Sequence, residues 1–117
     1  MLTESSSWNQ RAVSFPGSGE IYTKEQAQGW KKVVEEVHKN GGLIYIQMFH
    51  GGRASHPLMN GGLDPWAPSA LAIRGEKLHG IGDFIAPKEM TLDDIKSTVS
   101  DFDKSLDLIK EANFDGI

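Results

Sequence analysis

Two periods of apolar residues run through this chain. Trp30, Val33, Val34 and Val37 stand at i, i+3, i+4 and i+7, one face of a helix. Lys31, Lys32, Glu35 and Glu36 take the opposite face. Thr23 is a preferred N-cap, and Gln26 three positions later completes a capping-box signature. Asn40-Gly41-Gly42 accepts positive φ and so ends the helix. The period then changes. Leu43-Ile44-Tyr45-Ile46-Gln47-Met48 is almost wholly apolar, as suits a parallel strand covered on both faces. Alternation puts Ile44, Ile46 and Met48 on one side, and Leu43, Tyr45, Gln47 and Phe49 on the other. The first set is aliphatic and predicts packing under helices. The second turns polar at Gln47, near the strand's C-terminal end.

A second helix is predicted from Thr91, with Asp93 and Asp94 favouring its positive end. Ile95, Val99, Phe102, Leu106 and Ile109 form its core stripe. Asn113 suits the C-terminal stop, and Phe114-Asp115-Gly116-Ile117 reads as a strand beginning. Residues 6–22 read as loop, because serine, proline and glycine there show no apolar period. Residues 50–90 form a long irregular stretch, which Trp66, Leu71, Ile73 and Phe84 can anchor. Connections of that length are often functional.

Helices and strands in alternation build parallel sheets through crossovers. Here there is one convincing strand, one beginning at the C-terminus, and the tail of another at Met1-Leu2-Thr3. Two striped helices therefore lack a sheet large enough to receive them. A (β/α)₈ barrel takes about 250 residues. The expected fold class is α/β, an incomplete fragment of a (β/α)₈ TIM barrel. Residues 1–117 would hold about its second to fourth strands with their helices, as a piece of a single domain. A small independent α/β domain of about three strands is the alternative.

Composition narrows the function classes. The net charge is −4, and no basic run favours nucleic acid or an anionic membrane. With no cysteine, there are no disulfides, thiolate metal ligands or cysteine nucleophiles. Apolar runs fall far short of the ~20 residues of a membrane span. Met1-Leu2-Thr3-Glu4-Ser5 lacks the basic and apolar parts of a signal peptide. A soluble, cytoplasmic protein is expected. No metal site is expected either. His50 and His56, with Arg53 between them, lack usual zinc spacing, and His50 and Arg53 suit hydrogen bonds that tie down the long loop. His79 is expected in solvent. The Gly51-Gly52 and Gly61-Gly62 pairs match no phosphate-cradle pattern and read as turns. Gln47 carries both a donor and an acceptor. Its residue type alone leaves open a ligand contact or a core bond to a neighbouring strand.

The segment from Ile44 to Pro57, IYIQMFHGGRASHP, closely resembles the third-strand motif of the Old Yellow Enzyme family. That motif is an apolar strand, then Gln, an apolar residue, an aromatic, His, two small residues, Arg, a small residue, and Ser or Thr. Leu2-Thr3-Glu4-Ser5 is similar to the end of the family's second strand, and Trp30, Val33 and Val34 to its helix. Asp64-Pro65-Trp66-Ala67-Pro68-Ser69-Ala70 resembles the loop after strand three. Pro87-Lys88-Glu89-Met90-Thr91 resembles the lead into the next helix, and Ala112-Asn113-Phe114-Asp115-Gly116-Ile117 the start of strand four.

The resemblance implies an FMN-dependent NAD(P)H:flavin oxidoreductase, an ene-reductase acting on small activated alkenes such as enones. It implies that Gln47 touches the FMN ring. Ser5 stands where the family has Ala or Gly and approaches the flavin through its backbone. Phe49 stands where many members have Trp, beside the substrate pocket, and so lacks the indole N–H. The carbonyl-binding pair, the proton-donating Tyr and the cationic flavin ligands fall beyond Ile117 in the family pattern. No catalytic residue is therefore assigned within the chain, and these 117 residues alone are expected to be inactive. A catalytically inactive partial gene product, or a small α/β binding module, is the alternative reading.

Overall fold

The computed structural model describes residues 1–78 and 80–117. The reading of His79 lies outside them. Strand β1 (Leu2–Ser7) is the middle of a parallel sheet, flanked by β2 (Gly19–Glu20) and β3 (Tyr45–Phe49). Helices α1 (Lys24–Lys39) and α2 (Leu92–Glu111) follow β2 and the long connection. Beyond β3, Gly116 bridges Tyr45 in parallel, so the predicted strand start joins the sheet's far edge.

Local chemistry sets the helix ends where expected. Thr23 accepts from the Gln26 amide at 3.2 Å, and the Gln26 side chain accepts from the Thr23 amide at 2.9 Å. Thr91 and Asp94 form a second such box at α2. These bonds use N–H groups that have no partner inside the helix. Gly41 at φ 75° and Asn113 at φ 65° turn the chain out of the two helices.

The core lies between the sheet and both helices. Ile21, Ile46, Ile109 and Ala112 are buried together, with Trp30, Met48, Leu106 and Phe114 against them. Trp30 and Phe114 meet at 5.6 Å between ring centroids. The Trp30 indole also donates to the Glu20 carbonyl at 3.0 Å. Glu20 in turn accepts from Tyr22 Oη at 2.6 Å and Gln26 Nε2 at 2.8 Å, which fastens β2 to α1. Burial, and then Glu20, push the Tyr22 phenol up to about 12.

Several expectations are corrected. Residues 6–22 are not all loop: Ser6 and Ser7 complete β1, Gln10–Ala12 is a 3₁₀ turn, and Gly19–Glu20 is β2. Serine has weak strand preference, so pairing with two neighbours decides the matter. Ser6 is fully buried, and a Cβ on Gly19 would lie 2.5 Å from its Oγ. Among its described residues, the long connection holds a 3₁₀ turn (Gly52–Ala54) and four two-residue strands: β4 (Trp66–Ala67), β5 (Lys77–Leu78), β6 (Gly82–Asp83) and β7 (Lys88–Glu89). β3 begins at Tyr45, not Leu43. It is covered on one face only, since Tyr45, at 40%, and Gln47 are exposed while Ile46 is buried. The helix stripes are also only partly covered. Val33, Ile95 and Val99 are exposed, because among the described residues no element packs over them.

Asp115 closes the far edge of the sheet. Its carboxylate accepts from the Ile44 amide at 2.7 Å and from His38 Nε2 at 2.8 Å, at the end of α1. The Ile44 amide, and then His38, hold this carboxyl below its ordinary value. The Thr91 backbone and hydroxyl do the same for Asp94. A carboxylate held low adds stability above its unfolded value of about 3.9, lost as pH falls through the folded value. Urea unfolding followed by circular dichroism should therefore show stability level near neutrality and falling steeply below about pH 4. Asp115→Asn should lower stability at pH 7 and flatten that acid limb; an unchanged limb in this variant would count against the bond.

Candidate functional site on the open sheet face

Alternation along β3 separates two environments. Ile44 and Ile46 are buried under the helices, at 1% and 0% exposure, while Gln47 is exposed on the opposite face. β1 takes three residue steps from Leu2 to Ser5 where β3 takes two from Tyr45 to Gln47. That bulge sets Ser5 directly opposite Gln47. It also leaves the Gln47 amide bonded to Thr3 Oγ1 at 3.1 Å. Among the described residues, the Gln47 carboxamide has no protein hydrogen-bond partner. Phe49 follows two residues later on the same face, opposite Ser7. The structure therefore brings Ser5, Gln47 and Phe49 together on one open surface.

One further aromatic belongs to this surface. Phe15, 51% exposed, lies 6.1 Å from Phe49 between ring centroids, tilted by 37°. Below it, Glu4, Ser5 and the turn from Pro16 to Gly19 line a cleft of about 310 Å³. Sequence reading missed Phe15, because it sits in a stretch without period. Its one signal was an apolar aromatic among turn formers.

The chemistry of this surface suits one end of a flavin. An unpaired carboxamide matches a ring edge that both donates and accepts, and two aromatic side chains offer flat apolar contact. The described lining of the adjoining cleft has no Lys or Arg, and it includes Glu4, which disfavours a phosphate. The residues present fit the ring of FMN, not its phosphate.

The long connection is tied down differently from the expectation. His50 Nδ1 accepts from the Gly52 amide at 3.0 Å, a local bond, and Arg53 is exposed. His56 likewise binds locally, to the Leu58 amide at 3.2 Å. The ties come instead from Arg11, Ser55 and Asn60. Arg11 donates to the Asp64 carbonyl and stacks on Trp66, with Cζ 4.1 Å from the ring centroid. Lys88 approaches the same ring at 5.5 Å. Ser55, fully buried, donates to the Val13 carbonyl and accepts from Asn60 Nδ2. The Arg11–Asp64 and Ser55–Val13 ties join residues far apart in sequence, which explains why pattern reading overlooked them.

Comparison with known proteins gives the family and the fold. The sequence profile of the NADH:flavin oxidoreductase / NADH oxidase family matches residues 1–117. The chain belongs to that family. It is 40% identical to the flavin oxidoreductase hxnT of Emericella nidulans, over all of this chain and 30% of that protein. Morphinone reductase superposes with a TM-score of 0.89 at 33% identity, over 97% of this chain and 33% of that one. An Old Yellow Enzyme homologue from Zymomonas mobilis gives 0.90 at 28% identity, over 98% and 33%. The chain thus spans about a third of the length of these relatives. The neighbours are (β/α)₈ barrels, and this family member has the α/β architecture of an incomplete one. The family is FMN-dependent. No described helix is long and apolar enough to cross a membrane.

Arg11 gives a test of the anchoring. Arg11→Ala should cost about 1–2 kcal/mol, from a lost cation–π contact and a lost hydrogen bond. Limited proteolysis should then cut faster between residues 56 and 66; an unchanged cleavage rate there would exclude Arg11 as the anchor.

Proposed function

We propose that residues 1–117 form one piece of a single FMN-binding barrel domain, whose open sheet face holds the flavin ring. The complete protein is an FMN-dependent NAD(P)H oxidoreductase that reduces activated alkenes such as enones. The observation that carries this reading is the Gln47 carboxamide, exposed and unpaired on the face turned away from both helices, opposite Ser5. Family membership and the superposition on barrel enzymes support it.

When bound, FMN supplies hydride transfer between NAD(P)H and the alkene. The chain's own residues do the binding and shaping. Gln47 holds the polar edge of the ring through its paired donor and acceptor. Ser5 lets the ring approach the β1 backbone, since its side chain is small. Phe49 and Phe15 exclude water beside the ring and pack against an apolar substrate. The open face bears exposed Leu2, Leu43 and Tyr45, which further strands of a barrel would cover.

None of these side chains is suited to give a proton to the reduced alkene near neutrality. The carboxamide does not titrate, and serine and phenylalanine offer no acid. The proton donor and the phosphate ligands belong to parts of the barrel outside these 117 residues, which by themselves are inactive.

Two measurements check this reading. Gln47→Leu in the protein expressed from an extended reading frame should weaken FMN binding roughly tenfold, about 1.4 kcal/mol, in a fluorescence titration. Equal affinity would remove Gln47 from the site. The 117-residue chain purified alone should carry no stoichiometric flavin absorbance; a yellow one-to-one complex would contradict the division of the site.

A further inference from the structure

We propose that His50 is a positioning residue for this site. As the Nε2–H tautomer, it accepts the Gly52 amide on Nδ1 and fixes the turn that carries the chain off β3 directly behind Phe49. The role rests on the flavin reading above, because the aromatic it positions is a wall of that pocket.

The tautomer follows from the bond. A backbone N–H can only donate, so Nδ1 must offer its lone pair, and the ring proton sits on Nε2. Nε2 is buried with no partner among the described residues, so the bond at Nδ1 is the ring's one hydrogen bond there. Burial, and then the charge of Arg11, hold His50 below its ordinary value, which keeps the acceptor available near neutrality.

The ring is also clamped by packing. It lies 5.2 Å from Trp8, tilted by 56°, and Trp8 meets Phe102 of α2 edge-on at 5.2 Å. The next residue completes the hold. The Gly51 amide donates to the Ala12 carbonyl at 2.8 Å, in the segment that leads to Phe15. A Cβ on Gly51 would lie 2.4 Å from that of Ser14, so the absence of a side chain at Gly51 lets the two segments touch. Gly52 adopts φ 55°, a left-handed turn that a bond to its own amide helps to hold. Both aromatic walls, Phe49 and Phe15, therefore hang from one laced junction. Among its ties, the His50–Gly52 bond is made by a single replaceable side chain next to Phe49.

Two substitutions separate positioning from bulk. His50→Leu keeps the apolar volume and removes the acceptor. His50→Asn restores an acceptor at the γ branch. Enzyme expressed from the extended reading frame and loaded with FMN should show the following with cyclohexenone as substrate. His50→Leu raises KM about tenfold with kcat within about threefold, because the walls bind ground and transition states alike. His50→Asn stays within about threefold of wild type in KM. In ¹⁵N-histidine-labelled wild type at pH 7, two-bond ¹H–¹⁵N correlations should identify the Nε2–H tautomer. An Nδ1–H or doubly protonated ring, an unchanged KM in His50→Leu, or no rescue by Asn would each overturn the role. A wild-type protein that takes up no FMN would instead sink the flavin reading itself.

Discussion

The contact on which the rest depends is the burial of Ile46 between the sheet and the two helices. It is fully enclosed by Ile21, Ile109 and Ala112, a burial worth about 1.5–3 kcal/mol. Because side chains alternate along a strand, fixing Ile46 inward fixes Gln47 outward. A slip of one residue would bury a carboxamide among aliphatic groups and expose two isoleucines. The same packing energy that stabilises the core therefore aims the functional residue. Fold and site are coupled through one strand's period.

A second constraint is the extra residue in β1. Without it, the cross-strand partner of Gln47 would be a different residue, and the Thr3 hydroxyl would not reach the Gln47 amide. The small side chains of β1 matter for the same reason. Ser6 and Ser7 are buried, and Gly19 passes within contact of Ser6 and Trp30. Larger residues would push β2 away from the core and, with it, the turn below Phe15. Polar bonds then finish what packing starts. Glu20 gathers Tyr22, Gln26 and the indole of Trp30, and Asp115 gathers His38 and Ile44.

Much of this was readable from residue order. The capping box at Thr23, the start of α2 at Thr91, the two helix stops at Gly41 and Asn113, the two faces of β3 and the strand start near Gly116 all depend on neighbours a few positions apart. Local rules suffice for such features. The motif around Gln47 pointed to the family for the same reason. What could not be read was any feature created by distant pairing. The strand through Ser6 and Ser7, the short strands between Trp66 and Glu89, and the anchoring of the long connection by Arg11 are of that kind. The exposure of Val33, Ile95 and Val99 is the converse case. An apolar stripe announces a surface to be covered, but it does not say whether a neighbour is at hand.

The sequence by itself determined which residues form helices, where those helices end, and which side of β3 is aliphatic, because period and capping are properties of a few consecutive residues. Tertiary structure alone decided that Ser5 faces Gln47 and that Phe15 joins Phe49. Those outcomes require register between strands and the placing of a loop over a sheet. Both are set by long-range packing and hydrogen bonding, which no short stretch of sequence encodes.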